Sequence, residues 1–307
     1  MTGRTGDGIA EALAAYLGAR GSEDAPVPFF VQGDAVETLR LFPATSVDCV
    51  VTSPPYFGHR RYAGGGLGAE PDWRAYVAAL GAVTAELLRV LKPSGSLWLN
   101  LGDTYRGKRQ LGVPWRVAFH LTDAQGWTLR NSVVWHKVKG GPDTSRDRLR
   151  NVHELLFHFV LRAKGYHYDA DAIREPHVTF TEKSRMRGGR NHFFRPGGTP
   201  EQGKNRGNPN LHHGRWDQAF HPKGRNKRTV WSIPLSKFRE AHFAVFPEPL
   251  VETCILAGCP EDGVVLDPFL GSGTTAVVAK RLGRSYIGID CVAEYCQMAR
   301  RRLRETL

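Results

Sequence analysis

Apolar and polar positions follow two alternating rhythms along most of this chain of 307 residues. From residue 27 onward, short apolar runs alternate with stretches whose apolar positions recur at helical spacing. The predicted strands cover 28–31, 47–52, 96–101, 129–136, 154–161, 263–266 and 285–289. The predicted helices cover 72–91, 114–124, 248–257, 274–282 and 293–305. This interleaving predicts an α/β fold with one doubly wound sheet of seven strands and helices on both faces.

Breaks in these rhythms mark the expected boundaries. Residues 1–26 have the pattern of a short amphipathic helix followed by a polar linker. Between 177 and 230 the alternation is lost, and Gly, Asn, His, Pro and Arg dominate. We therefore divide the chain into an N-terminal helix and linker at 1–26, a first half of the α/β domain at 27–176, an inserted region at 177–230 and a second half at 231–307.

The charge of the chain is strongly basic and regional. There are 42 Lys and Arg against 30 Asp and Glu, which gives a net charge of +12 and favours a polyanionic partner. Residues 177–230 alone hold twelve basic side chains against three acidic ones. Such a segment is either a disordered basic insertion or a small module that becomes ordered on its partner, and its scattered aromatic residues favour the module.

Several classes of protein are disfavoured by composition. No run approaches the roughly 18 apolar residues of a membrane span, and the N-terminal stretch lacks the apolar core of a signal peptide. The five cysteines include no C-x-x-C pair, which is typical of reduced thiols and predicts neither a disulfide framework nor a metal site. We expect a cytoplasmic protein, associated with the nucleoid if its partner is DNA.

A glycine-rich turn with the sequence Asp-Pro-Phe-Leu-Gly-Ser-Gly-Thr-Thr occupies 267–275, between a predicted strand and a predicted helix. Such a turn lets backbone N–H groups and the helix N-terminus approach a ligand closely. Asp290 ends the following strand, 23 positions after Asp267, where an acid usually holds the hydroxyls of a nucleotide ribose. A P-loop is excluded, because no Gly-Lys-Ser/Thr follows the second glycine. The sequence therefore predicts a nucleoside-cofactor site.

A second motif, Ser53-Pro54-Pro55-Tyr56, directly follows the predicted strand 47–52. The prolines fix the backbone at the carboxyl end of a strand, which is where an open α/β sheet binds ligands. The Ser53 hydroxyl and the Pro54 carbonyl are suited to accept hydrogen bonds from a planar amino group, and Tyr56 offers a ring for stacking. Alone this tetrapeptide is a common turn, whereas its combination with the glycine-rich turn is highly specific.

Together the two motifs resemble those of the DNA amino-methyltransferases, which methylate exocyclic nitrogens of cytosine or adenine with S-adenosylmethionine (SAM). The order S-P-P-Y before D-P-F-x-G-S-G-T-T, with a basic region between them, is that of the family's β group. The resemblance covers about residues 29–305 and implies a Rossmann-like methyltransferase sheet with an inserted target-recognition region. Protein glutamine methyltransferases share a similar N-P-P-Y motif but place it after the SAM loop, which argues against them.

Carried over position by position, the resemblance implies a catalytic group and a SAM site. The catalytic group is Ser53, Pro54, Pro55 and Tyr56. Its acceptors would localise the lone pair of the target nitrogen, so that no cysteine nucleophile is needed. The SAM contacts would be Asp34 at the adenine amino group, Asp290 at the ribose, and, at the methionine end and in the glycine-rich turn, His242, Phe246, Pro247, Asp267, Phe269, Gly271, Ser272, Gly273, Thr274 and Thr275.

The resemblance also implies double-stranded DNA as the partner. The target base should be flipped out, because its amino group cannot be reached inside a duplex. The arginines of the inserted region are suited to guanine edges in the major groove. The basic side chains expected at the DNA are Arg60, Arg61, Arg106, Lys108, Arg109, Arg185, Arg187, Arg190, Arg195, Arg206, Arg215 and Arg225.

Serine at the first position of the catalytic motif is commoner in the cytosine-N4 enzymes of this family. The preferred interpretation is therefore a site-specific methyltransferase that makes N4-methylcytosine, with adenine-N6 methylation as the alternative. A non-catalytic nucleic-acid-binding protein and an RNA methyltransferase are more remote alternatives. A restriction endonuclease that acts on the same site is an expected partner, and both a monomer and a dimer remain open.

Overall fold

The computed structural model describes residues 6–19, 28–59, 66–139, 145–176, 223–235 and 246–306. The chain divides into two compact units, of which the larger comprises Met1–Tyr168 with Thr229–Leu307 and the smaller comprises Asp169–Arg228. All the regular helices and strands described below belong to the larger unit.

Eight strands of the larger unit form one sheet, and two more form a short hairpin. The sheet has the order β1-β10-β9-β2-β3-β7-β6-β8. Its strands are parallel except where β7 pairs with β3 and with β6. The strands are β1 Phe29–Gln32, β2 Val47–Thr52, β3 Leu91–Leu101, β4 Tyr105–Arg106, β5 Arg109–Gln110, β6 Thr128–His136, β7 His153–Val160, β8 Val230–Ser232, β9 Val264–Asp267 and β10 Ser285–Asp290, of which β4 and β5 make the hairpin.

Helices flank this sheet. They are α1 Gly6–Gly18, α2 Ala35–Arg40, α3 Trp73–Val90, α4 Val113–Phe119, α5 Glu248–Gly258, α6 Thr274–Arg281 and α7 Ala293–Glu305, with a π-helical turn at His120–Ala124 after α4. Every residue of β2 and β9 is buried, as expected for parallel strands that are covered on both faces. Helix α1 is anchored to the sheet by Leu13, which is fully buried, and by Tyr16, whose hydroxyl donates to the carbonyl of Tyr286 at 3.1 Å.

The predicted α/β class is confirmed, whereas the predicted seven-stranded sheet lacks one of the eight strands observed, and the β4–β5 hairpin was not predicted. The eighth strand, β8, has only three residues, with Trp231 buried between two exposed neighbours, and it pairs with the edge of the sheet at β6. Helix α2 was not predicted either, since six residues give little periodicity to detect. Strand β3 starts at Leu91 instead of residue 96, because Pro93 ends the helix without ending the extended backbone that follows.

The described residues of the smaller unit hold the two ends of the basic segment together. Glu175 and Arg225 exchange two backbone hydrogen bonds, at 2.9 and 2.8 Å. Arg174 adds a bond to the Asp171 carboxylate at 2.7 Å and another to the side chain of Asn226 at 2.8 Å. Most of the predicted inserted region, residues 177–222, lies outside the described residues.

Three further properties concern the expected classes of protein. No helix among the described residues is long and apolar enough to cross a membrane. The five cysteines are all free, and four of them are buried. In the described ranges, no group of three or more His, Cys, Asp or Glu side chains is arranged to hold a metal ion.

Candidate active site

Parallel strands bring the predicted motifs to one edge of the sheet. Strands β1, β10, β9 and β2 are successive neighbours and all run parallel, so their carboxyl ends meet at the same edge. Asp34 follows β1, Asp290 ends β10, Asp267 ends β9 and Ser53 follows β2. Two parts of the chain that are far apart in sequence therefore contribute to one site.

An open cleft of about 970 Å³ lies at this edge. Most of the predicted catalytic and SAM-binding residues line it, namely Asp34, Ser53, Pro54, Pro55, Tyr56, Phe246, Asp267, Phe269, Gly271, Ser272, Thr274, Thr275 and Asp290. Pro247 caps α5 and Gly273 caps α6, next to the lining residues. His242 lies outside the described residues.

The Tyr56 hydroxyl is the centre of a hydrogen-bond network at the catalytic motif. It donates to Glu154 Oε2 at 2.6 Å and accepts from Asn100 Nδ2 at 2.6 Å. Ser53 Oγ lies 3.0 Å from the same hydroxyl. Glu154 Oε2 also accepts from Asn100 Nδ2 at 2.7 Å, and its Oε1 pairs with Lys137 Nζ at 2.5 Å. Burial and the neighbouring Glu154 carboxylate raise the pKa of Tyr56 well above its usual value, so the phenol keeps its proton.

The ring of Tyr56 is held in place from several sides. A Cβ atom at Gly102 would lie 2.7 Å from two carbons of this ring, so only glycine leaves room for it there. The His59 ring meets Tyr56 edge-on, with ring centroids 5.6 Å apart. The carbonyl of Pro55 accepts from the Tyr76 hydroxyl at 3.0 Å, which fixes the turn to α3. Stacking of the target base on Tyr56 stays a prediction.

Sequence reasoning missed Asn100, Glu154 and Lys137. Asn100 lies within β3 and is fully buried, and a polar residue inside the apolar run SLWLNL was a signal that could have found it. Glu154 is the second residue of β7, and Lys137 follows β6 directly. The pairing of β7 with both β3 and β6 places these side chains beside Tyr56. No local sequence pattern predicts that pairing.

Asp267 connects the catalytic motif to the glycine-rich turn. Its Oδ1 accepts from Thr52 Oγ1 at 2.7 Å and from the Phe269 N–H at 3.0 Å, and its Oδ2 accepts from Thr275 Oγ1 at 2.9 Å. Burial raises the pKa of Asp267 to about 6, although these three hydrogen bonds favour the charged form. Because Thr52 directly precedes Ser53, this carboxyl group fixes the start of one motif against the other.

Two glycines shape the turn in different ways. At Gly273, where φ is +79°, a Cβ atom would lie 2.6 Å from the Cβ of Ala299, so the close packing of α6 against α7 excludes a side chain. At Gly271, where φ is +51°, the nearest atom to such a Cβ would be the Phe269 carbonyl oxygen at 3.8 Å. The space in front of Gly271 is therefore open, and a ligand in the cleft can approach the backbone there.

The acids at the ends of β10 and β1 differ in how their oxygens are used. Asp290 Oδ2 accepts from the Gly271 N–H at 2.8 Å and Oδ1 accepts from the Val292 N–H at 2.9 Å, while burial raises the pKa of Asp290. Each oxygen retains a second acceptor position. Asp34 caps α2, where its Oδ1 accepts two N–H groups of the first turn. Two carboxylates flanking open glycine backbone fit the hydroxyl and amino donors of an adenosine group.

Three of the predicted DNA-binding residues belong to the β4–β5 hairpin. Arg106, Lys108 and Arg109 are all exposed. Lys108 Nζ pairs with Asp147 Oδ2 at 2.7 Å, and Arg106 Nη1 donates to the carbonyl of Pro71 at 2.8 Å. Exposed ion pairs contribute roughly 0–1 kcal/mol, so Lys108 can exchange Asp147 for a phosphate at little cost.

The remaining predicted DNA-binding residues lie away from this hairpin in the chain. Arg225, in the smaller unit, pairs with Glu175 at 3.2 Å, and 29% of its side chain is exposed. It therefore has a structural partner that its sequence context did not indicate. The others lie outside the described residues, namely Arg60, Arg61, Arg185, Arg187, Arg190, Arg195, Arg206 and Arg215.

Sequence comparisons point to one family. The family model of the N6/N4 methyltransferases, described as DNA methylase, matches residues 47–301. The Type II methyltransferase M.SmaI of Serratia marcescens is 34% identical over 303 residues, with 89% of each chain covered. M.Cfr9I of Citrobacter freundii, also a Type II methyltransferase, is 34% identical over 89% of this chain and 86% of its own.

Solved structures share the fold. The cytosine-N4-specific PvuII DNA methyltransferase aligns with a TM-score of 0.65 at 20% identity, over 91% of this chain and 89% of its own. A DNA modification methylase of Thermus thermophilus, in complex with S-adenosyl-L-methionine, aligns with a TM-score of 0.55 at 27% identity, over 91% and 96% of the two chains. The Rossmann-like methyltransferase architecture expected from the motifs is thereby confirmed.

Proposed function

The chain belongs to the N6/N4 methyltransferase family of DNA methylases, and on that premise we propose that it methylates the exocyclic N4 of cytosine in double-stranded DNA. SAM is its cofactor, as in the related methylase solved with SAM. Because its relatives are Type II methyltransferases, we assign it to a restriction–modification system with an endonuclease for the same site. The choice of cytosine rests on Ser53. This chain has a hydroxyl group at the first position of the catalytic motif, where adenine-N6 enzymes more often have a carboxylate.

The catalytic residues act on the electronics of the target. An exocyclic amino nitrogen is a poor nucleophile, because its lone pair is delocalised into the ring. The Ser53 hydroxyl and the Pro54 carbonyl accept hydrogen bonds from the two N–H groups of the target nitrogen. This draws the nitrogen toward a pyramidal geometry and localises its lone pair. SAM supplies a methyl group on a sulfonium, already a strong electrophile. The remaining task of the enzyme is to align the target nitrogen with the methyl group. Positioning of this kind can lower the activation barrier by roughly 7–11 kcal/mol.

The cofactor is held by the strand-end residues of the second motif. Asp290 would accept hydrogen bonds from the ribose hydroxyls through the remaining acceptor positions of its carboxylate, and Asp34 would accept one from the adenine amino group. The open backbone at Gly271 allows the nucleoside to lie against the turn. The resemblance assigns His242, Phe246 and Pro247 to the methionine end, and of these Phe246 lines the cleft.

Duplex DNA is bound through its phosphates and the inserted region. The exposed Arg106, Lys108 and Arg109 contact the backbone near the cleft, and the region 177–230 reads the target sequence. Flipping the base costs a few kcal/mol, and stacking on Tyr56 returns roughly 1–3 kcal/mol. If roughly 6–10 phosphates are contacted, the affinity falls about 10³–10⁵-fold between 50 and 200 mM salt, and a flat salt response contradicts this assignment.

The test is mass spectrometry of nucleosides from DNA that has been incubated with the protein and SAM. N4-methylcytosine supports the proposal, while N6-methyladenine keeps the family and the sites and refutes the choice of base. Unmethylated DNA and methylated RNA would favour an RNA substrate. Ser53→Ala should abolish most of the single-turnover rate while SAM binding is retained, with Ser94→Ala, at the exposed start of β3, as the control.

A further inference from the structure

We propose that Ser53, Tyr56 and Glu154 form a proton relay that carries the proton released by the methylated amino group to the Glu154 carboxylate. The proposal rests on the proposed function, because it concerns the same methyl transfer. Three oxygen atoms form the path, with separations of 3.0 Å between Ser53 and Tyr56 and 2.6 Å between Tyr56 and Glu154. Ser53 lines the cleft at one end of the path.

The direction of the hydrogen bonds follows from the chemistry of the groups. An ionised carboxylate can only accept, so the hydroxyl hydrogen of Tyr56 points to Glu154. The Tyr56 oxygen must then accept from Ser53, which directs the Ser53 hydrogen away from the target. A lone pair of Ser53 Oγ is thereby presented to the amino group, and the network sets this hydroxyl as an acceptor before any substrate binds.

The methyl transfer leaves a proton that must be removed. A bond forms between the target nitrogen and the methyl carbon, the bond from carbon to sulfur breaks, and sulfur keeps the electron pair. As the new bond forms, the nitrogen becomes positively charged and carries one hydrogen too many, so its proton leaves within the same step. Its proton passes to Ser53 Oγ, the Ser53 proton passes to Tyr56, and the Tyr56 proton passes to Glu154, which becomes neutral. A serine hydroxyl is too weak a base to keep the proton itself.

The surroundings of Glu154 suit a proton acceptor. Lys137 Nζ lies 2.5 Å from Oε1, and Asn100 Nδ2 donates to Oε2 at 2.7 Å, so two donors stabilise the carboxylate. Only 10% of the Glu154 side chain is exposed, and Glu154 lines the same cleft as Ser53 and Tyr56, so the carboxylate lies at the reaction site with little access to bulk water. Burial and the Glu154 charge raise the pKa of Tyr56, so this phenol passes one proton on only as it receives another.

The first test compares Glu154→Gln and Tyr56→Phe with the wild type in single turnovers at saturating SAM and DNA. Loss of the acceptor or of the middle hydroxyl should slow methyl transfer by roughly 10²–10⁴-fold, while the Kd values for SAM and DNA stay unchanged. Glu261→Gln is the matched control, because Glu261 is an exposed glutamate just before β9 that does not line the cleft, and it should keep the wild-type rate.

The second test is chemical rescue of Glu154→Ala. Formate, which restores a carboxylate in the vacated space, should raise the single-turnover rate with increasing concentration, and formamide, which has the same shape without the charge, should not. Neither should rescue Tyr56→Phe, since the path is interrupted before it reaches the added base. Tyr56→Phe removes a single oxygen, so it tests the relay even if Glu154→Ala fails to fold.

The outcomes separate this proposal from the function on which it rests. A wild-type protein that methylates no nucleoside overturns both. A wild-type enzyme that is active, with Glu154→Gln equally fast, overturns the relay alone. Equal rescue by formate and formamide, or a loss of SAM binding that accounts for the slower rate, assigns Glu154 a structural role and likewise overturns the relay.

Discussion

His158 should make the stability of this protein sensitive to mild acid. Its side chain lies in β7 with 1% exposed, and its ring stacks on Trp98 with centroids 4.0 Å apart and planes inclined by 4°. Within the described residues, neither ring nitrogen has a hydrogen-bond partner. Burial, with a contribution from the positive charge of Arg130, lowers the pKa of His158 from 6.5 to about 3.

The sign and size of the effect follow from this shift. The folded protein keeps His158 neutral, whereas the unfolded chain takes up a proton below pH 6.5. The contribution of His158 to the free energy of unfolding is therefore fully present above pH 6.5. It is lost progressively as the pH falls from 6.5 towards about 3. The loss is about 1.4 kcal/mol for each pH unit in this interval, or roughly 2 kcal/mol at pH 5.

The variant His158→Phe isolates this contribution. Phenylalanine keeps a flat ring against Trp98 and removes both unpaired nitrogens, so its stability at neutral pH should match or exceed that of the wild type. The free energy of unfolding is measured by urea titration with tryptophan fluorescence at pH 8 and pH 5. The decrease in the free energy of unfolding from pH 8 to pH 5 should be smaller in His158→Phe than in the wild type by roughly 2 kcal/mol.

The control is His153→Gln, which removes an exposed imidazole from the same strand, and its decrease should parallel that of the wild type. Carboxyl groups elsewhere contribute equally to all three proteins and cancel in the comparison. If the wild type and His158→Phe lose the same free energy between pH 8 and pH 5, the buried neutral imidazole is not the source of acid sensitivity.

Three other predictions concern cofactor, DNA and fold. Gly271→Val should abolish SAM binding measured by calorimetry, whereas Gly107→Val, which has a similar positive φ (+54° against +51°) and equally open space, should bind SAM normally. Replacing 177–222 with a short Gly-Ser linker should keep SAM binding and lose sequence-specific DNA binding in fluorescence anisotropy; failure to fold would contradict this. Lys92→Met should lower the free energy of unfolding by roughly 1–3 kcal/mol, because the Lys92 ammonium binds both oxygens of the buried Asp48 at 2.7 and 2.8 Å.

The parts of the site that sequence alone could predict are those at the ends of parallel strands. Ser53 and Asp267 each follow or end an apolar strand, and the carboxyl ends of parallel strands share one edge. Their proximity therefore needed no three-dimensional information, and Thr52 and Thr275 now connect them through the Asp267 carboxylate. The side-chain partners of these residues were not predictable, because hydrogen bonds across a sheet depend on register.

Local patterns were least informative where an element is short or fixed by distant contacts. Strand β8 has three residues and gains its order from pairing with β6, nearly a hundred positions earlier. Helix α2 has six residues and depends on its cap at Asp34. Asp34, which we assign to the adenine group of SAM, thus also caps a helix. Only its Oδ1 accepts the two cap hydrogen bonds, so its Oδ2 would be the acceptor for the proposed adenine contact.

The reversed strand β7 brings side chains to the ligand edge that the parallel strands do not supply. A ligand edge that is built only from the carboxyl ends of parallel strands offers Ser53 and the glycine-rich turn, and neither supplies a base beside the target nitrogen. Because β7 runs antiparallel to β3 and β6, its amino end lies at the edge where those strands finish. Glu154 at the start of β7 and Lys137 just after β6 therefore come together next to Tyr56. Under the proposed relay, the reversed strand therefore supplies the carboxylate that the serine motif itself lacks.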